Sequence, residues 1–244
     1  MKRKSLNLFV FFISIYYINA QDITFGITGG VNYSNIGTLY HLGSSNGGGS
    51  GVIPADDTYY SANNDMGYQF GGYLKINMNY FYLRPEVVVY SLKNSYDLAT
   101  KTSNWTQEGM DIGLYFGYRM LRGITIYAGP SLSTISDRQL EGMEDTGYND
   151  PWTYEKTSLG GGIGVTLEYG RFGIDIRYLY GFTEVEELKI DMIRDYNGYG
   201  TNLAYLQAYN PSRFVLSFNI DLFSFGGEKK SKHVKSDWRN HRNL

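Results

Sequence analysis

The sequence predicts an all-β protein, an eight-stranded antiparallel transmembrane β-barrel. Three observations carry this. Eight segments alternate apolar and polar residues at period two, the spacing at which a strand separates its two faces. The links between them alternate short and long. The polar face holds the glycines together with the charges.

Composition points the same way. The chain has 244 residues, with 30 glycines, 24 tyrosines and only five prolines, which suits close-packed strands better than a helical bundle. The absence of cysteine removes disulfides, thiolate zinc sites, iron–sulfur clusters and cysteine nucleophiles. Three histidines leave little for a histidine metal centre, and a net charge of −2 without a basic stripe argues against nucleic acid as partner.

Residues 1–20 are expected to be a signal peptide. Lys2, Arg3 and Lys4 precede a 13-residue, almost wholly apolar run from Leu6 to Ile18, and polarity begins after Ala20. A membrane-anchoring helix would need ~20 apolar residues. No cysteine follows the cleavage point to carry a lipid anchor. Cleavage removes the three basic residues and takes the net charge from −2 to −5.

The eight segments follow within an expected barrel domain, 21–225. In 22–36, Ile23, Phe25, Ile27, Val31 and Tyr33 oppose Thr24, Gly26, Thr28, Gly30 and Asn32. In 66–77, Tyr68, Phe70 and Leu74 oppose Gln69, Gly71, Lys75 and Asn77. In 81–92, Phe81, Leu83, Val87 and Val89 oppose Arg84, Glu86 and Tyr90. The cleanest is 107–119, where Met110, Ile112, Leu114, Phe116 and Tyr118 alternate with Gly109, Asp111, Gly113, Tyr115, Gly117 and Arg119. Segments 124–135, 158–168, 172–183 and 212–223 repeat the rule, with Thr125, Glu168, Asp175, Arg177 and Asp221 among their polar positions.

A soluble barrel would turn its polar face to water, where glycine gains nothing. A narrow membrane barrel turns that face inward, where small residues beside paired polar ones fill the lumen. The expected lumen lattice is Lys75, Arg84, Glu86, Asp111, Arg119, Glu168, Asp175, Arg177 and Asp221, four positive against five negative. Expected pairs are Glu86 with Arg84 or Lys75, and Asp175 with Arg177 or Arg119. Isolated buried charges cost too much to persist.

Short links at 78–80, 120–123 and 169–171 alternate with long ones at 37–65, 93–106, 136–157 and 184–211. This is the outer-membrane arrangement of short periplasmic turns and long outward loops. Aromatics cluster at both strand ends, with Phe81, Tyr118, Tyr169, Phe172 and Phe223 on the turn side. Tyr33, Tyr68, Tyr180, Phe182 and Phe214 form the loop-side group. Two interfacial girdles account for them and for the tyrosine excess.

Elsewhere the motifs are structural. Neither Gly47–Gly51 nor Gly160–Gly164 carries the Lys-Ser/Thr of a phosphate loop. His41 is the only histidine on the outward side, so a Ser–His–Asp or His–Asp arrangement could be built only through it, within the glycine-rich first loop, where a plain loop histidine is the expectation. The outward loops sum to −9, with Glu144, Asp145 and Asp150 as candidate hard-cation ligands, yet no spaced calcium loop is present. No cofactor or metal site is expected. The tail, 226–244, carries six basic residues against two acids and no apolar period, and is expected to be a disordered periplasmic extension.

Several stretches resemble one family. Phe25-Gly26-Ile27-Thr28-Gly29-Gly30-Val31-Asn32 resembles the first strand of small outer-membrane β-barrel proteins of the Bacteroidota, often called PorT-like. Leu83–Ser91, Tyr127-Ala128-Gly129-Pro130 and Asp175–Gly181 resemble its later strands. The resemblance implies an outer-membrane location, and some relatives serve type IX secretion and gliding. The expected role is a non-enzymatic structural or docking component. Its expected partners are outer-membrane lipid and lipopolysaccharide, the barrel-assembly machinery and other envelope proteins. A small porin-like channel is the alternative, and a barrel-embedded enzyme ranks third.

Overall fold

Period-two alternation becomes a closed ring of strands. The computed structural model describes residues 22–41, 58–142, 157–191 and 203–226. The expected signal peptide, the glycine tip at 47–51, the acids at 56, 57, 144, 145 and 150, and the tail beyond 226 lie outside these residues.

Eight long strands form the wall: β1 (Asp22–Asn35), β3 (Thr58–Met78), β4 (Phe81–Asp97), β5 (Thr102–Leu121), β6 (Ile124–Leu140), β7 (Thr157–Tyr169), β8 (Phe172–Gly181) and β11 (Ser212–Phe225). Each pairs antiparallel with its neighbours, and β1 closes the ring by pairing with both β3 and β11. Val31, for example, sits opposite Tyr68 on one side and Leu216 on the other. Outside, Leu114, Phe116, Ile174 and Phe218 are 45–51% exposed. So continuous an apolar surface is untenable in water and matches a lipid-facing band.

The short links are two-residue turns whose backbone needs positive φ, supplied by Asn79 (55°), Gly123 (81°) and Gly170 (63°).

The outward loops differ from expectation. β3 begins at Thr58 instead of 66, β4 and β5 continue to Asp97 and from Thr102, and β6 reaches Leu140. Three short strands, β2 (Thr38–His41), β9 (Leu188–Asp191) and β10 (Leu203–Leu206), extend the β3 edge in the order β3-β2-β10-β9. The cause is a second apolar core on the loop side, where Ile36, Leu39, Tyr96, Trp105, Ile190 and Leu206 are at most 2% exposed. His41 therefore does not lie in a glycine-rich loop. It is buried in β2, opposite Ala204 of β10.

Candidate functional site: the lumen and its two mouths

The lumen is built on a partnership of glycine with tyrosine. Across neighbouring strands, Tyr73 faces Gly26, Tyr82 faces Gly117, Tyr90 faces Gly109 and Tyr127 faces Gly164. Each ring lies over its glycine, so that a Cβ added there would collide with it. Together with Tyr115, which lies over Gly113, these buried rings place part of the tyrosine excess inside the barrel and not in the girdles. A ring gains its area by covering bare backbone, and its face is then free to take a cation.

Arginines occupy those faces. Arg84 lies 4.0 Å from the Tyr73 centroid, Arg177 4.5 Å from Tyr115, and Arg213 4.1 Å from Tyr90. Across the middle of the lumen, Glu86 joins Arg84 at 2.7 Å and Arg177 at 2.6 Å. Arg177 also holds Asp175 at 3.2 Å. Asp175 accepts hydrogen bonds from the Tyr127 hydroxyl at 2.7 Å and the Thr166 hydroxyl at 2.8 Å, while Arg177 Nε donates to the Tyr127 oxygen at 2.7 Å. All four charged groups are at most 3% exposed. Each of these charges has an opposite partner within 3.2 Å, and Arg84, Asp175 and Arg177 also bond neutral side chains, the condition under which buried ions persist.

The turn-side layer is separate. Lys75 bonds Glu168 at 3.0 Å and Asp221 at 3.2 Å, and Asp221 also accepts from Tyr73 Oη at 2.6 Å. The alternative pairing of Lys75 with Glu86 is not formed, because Arg84 and Arg177 already flank that carboxylate. Arg119 stands too near the turn to reach Asp175, and donates to Asn77 Oδ1 and the Asn79 carbonyl. Asp111 pairs with Arg213, a residue absent from the expected lattice. Arg213 was legible by parity, on the same face as Ser217 and Asn219. Arg138, buried at the loop side, was not, since it falls beyond the expected end of its strand.

Two cavities flank the charged midsection, about 440 Å³ on the loop side and about 380 Å³ on the turn side. A third, much smaller cavity of about 10 Å³ lies beside Glu86, Asp111, Tyr115 and Arg177. Among the described residues, no group of three or more histidines and acids is placed to hold a metal ion.

A closed antiparallel ring of eight strands, apolar outside and charged inside, is the architecture of an outer-membrane β-barrel. The chain belongs to the outer membrane protein beta-barrel domain family, whose model matches residues 19–187. It is an outer-membrane protein. The crystal structure of the outer membrane protein OprG from Pseudomonas aeruginosa is similar, at 13% identity over 84% of this chain and 97% of that one, with a TM-score of 0.47. Neisserial surface protein A aligns at 10% identity over 81% of this chain and 97% of that one, with a TM-score of 0.38. No curated protein matches the sequence.

Proposed function

We propose that this chain is a non-enzymatic, closed barrel serving as a structural or docking component of the cell envelope. The carrying observation is the buried ion lattice of Arg84, Glu86, Arg177 and Asp175, which spans the middle of the lumen, the cavity beside it measuring about 10 Å³. An ion crossing the middle of the barrel would have to displace these paired charges, at a cost of several kcal/mol. In this reading residues 1–20 are removed after Ala20, and the barrel is a PorT-like protein of the Bacteroidota. It is inserted by the barrel-assembly machinery among outer-membrane lipid and lipopolysaccharide. The outward strands, stiffened by their own apolar core, offer a firm platform to envelope partners, secretion components included.

Planar bilayers test the closure. Purified protein is expected to give no steady current. Reproducible unitary steps that vanish when Arg84 or Glu86 is replaced would support the small channel instead. Cross-linking in intact cells followed by co-purification tests the docking role, which fails if no envelope protein is captured through the outward strands. Amino-terminal sequencing of the membrane-extracted protein should begin at Gln21.

A further inference from the structure

We infer that the loop-side cavity is a binding site for a small organic carboxylate with an apolar body. This goes beyond the closed-barrel reading, because the ligand sits on the outward side of the lattice and never crosses it.

The cavity, about 440 Å³, falls within the ~300–1,000 Å³ usual for small-molecule sites. Ile36, Leu92, Ile135 and Leu179 give it an apolar wall, and Arg138 and Arg213 supply two guanidiniums to its lining. The Arg213 side chain is 10% exposed and bonds Asp111 through Nη2, while its ring contact with Tyr90 fixes its plane. Its Nη1 is buried and has no hydrogen-bond partner among the described residues. Arg138 donates through Nε to Gln107 at 3.0 Å and lies 5.2 Å from the Trp105 centroid, so it too is held in place before any ligand arrives.

A buried charged donor left unmade is costly, and a carboxylate is the acceptor whose planar geometry fits a guanidinium. A neutral carbonyl would meet Nη1 with a single, weaker bond. An inorganic anion would meet the donor but would lose its hydration against the apolar wall without return. An apolar body with one carboxylate satisfies both halves. Glu184, Glu186 and Glu187 line the outer part of the cavity and are exposed to solvent. They oppose anion entry from a distance, through a field that salt screens within ~8 Å. They therefore disfavour polyanions more than a single carboxylate.

The test is calorimetric titration of the full protein in nanodiscs with phenylacetate, its neutral near-isostere phenylacetamide, and sulfate, against empty nanodiscs. Phenylacetate should bind saturably at one site, phenylacetamide about tenfold more weakly or worse, and sulfate not at all. The double variant Asp111→Asn/Arg213→Gln removes the ion pair together, leaves no lone buried charge, and should bring phenylacetate down to the level of the amide. Ile135→Trp fills the cavity without touching a charge and should abolish binding of both. Glu186→Gln/Glu187→Gln should tighten phenylacetate binding, most visibly at low salt. The assignment is overturned by equal binding of acid and amide, by no saturable binding of the acid, or by wild-type binding in the Ile135→Trp protein.

Discussion

Glu86 of β4 grips Arg177 of β8 with both carboxylate oxygens, at 2.6 Å to Nη1 and 3.2 Å to Nη2, across the interior of the barrel. The same carboxylate holds Arg84 at 2.7 Å. One acid thus keeps two arginines apart in a space that water barely enters.

Removing Arg177 should therefore hurt more than removing Arg84. Arg177→Met leaves Asp175 without a cation and Glu86 with Arg84 alone, and should cost ~3–5 kcal/mol, as breaking a buried pair does. Arg84→Met leaves Glu86 still held by Arg177 and should cost clearly less. Urea unfolding in lipid vesicles gives both values, and the reverse order would show that Arg84 is the main partner of Glu86.

The glycine–tyrosine contacts change what counts as a mild substitution. By sequence alone, Gly113→Ser on the lumen face looks benign. In the structure an added Cβ meets the Tyr115 ring. Gly117→Ala, beneath Tyr82, should likewise destabilise by ~1–3 kcal/mol through overpacking. Combining it with Tyr82→Leu should recover part of that loss, because the two sites share one contact. Strict additivity in the double-mutant cycle would disprove the coupling.

On the outer face, Leu114→Arg and Phe218→Arg should each impair insertion. A charge near the midplane of a barrel exterior costs ~2–4 kcal/mol. The readout is the fraction that becomes heat-modifiable on gels after folding into vesicles. Unimpaired folding would mean these positions lie outside the hydrocarbon.

The loop-side core should come apart without the barrel. Trp105 is fully buried in it, and Trp105→Ala should weaken it by ~3–5 kcal/mol. Proteolysis from outside should then cut within 98–101 or near β9, while the lipid-embedded strands stay protected. Loss of the whole barrel would show that the two cores fold as one unit.

At the tip of the β4–β5 hairpin, Asp97 accepts hydrogen bonds from Asn63 Nδ2 and the Thr102 hydroxyl, both at 2.8 Å. These bonds, Thr102's first, hold its carboxyl below the usual carboxylate range. A lowered folded value stabilises the tip above the ordinary carboxylate pKa, and that stability is lost as pH falls through the folded value. Nuclear magnetic resonance titration of the Asp97 carboxyl should show a midpoint below 3.8, returning toward it in Thr102→Val. An ordinary midpoint in the wild type would remove the tip's acid sensitivity.

Period two reveals a strand only as far as its parity holds. β5 keeps odd residues inward from Trp105 through Gly117, and its faces were legible throughout. β3 changes parity at the irregularity between Asp65 and Tyr68, so Tyr60 points inward although Tyr68 points outward. The register slips again where Asp137 and Ile135 face Glu108 and Gly109, which hid Arg138 and Leu140. Bulges add one residue and invert everything beyond them, so the outward core was hidden by the rule that revealed the wall. β2, β9 and β10, at four residues each, are too short for a period to register. The lumen pairs were limited in another way. Asp175 and Arg177 share a face of one strand and could be matched from spacing, whereas Glu86 and Arg177 meet only once the sheet has curled through 91 positions of chain.

The seam between β1 and β11 joins the beginning of the barrel to its end. Thr24 and Ser224 exchange a hydrogen bond across 200 positions of sequence. Hairpins such as β4–β5 join neighbours and cost little loop entropy, but this seam can form only after every intervening strand exists. Until then β1 and β11 are two bare edges, and each is a template for the wrong neighbour. Closure thus carries the largest loop-entropy cost of any pairing in the barrel, and before it a chaperoning edge from another molecule has the most to offer.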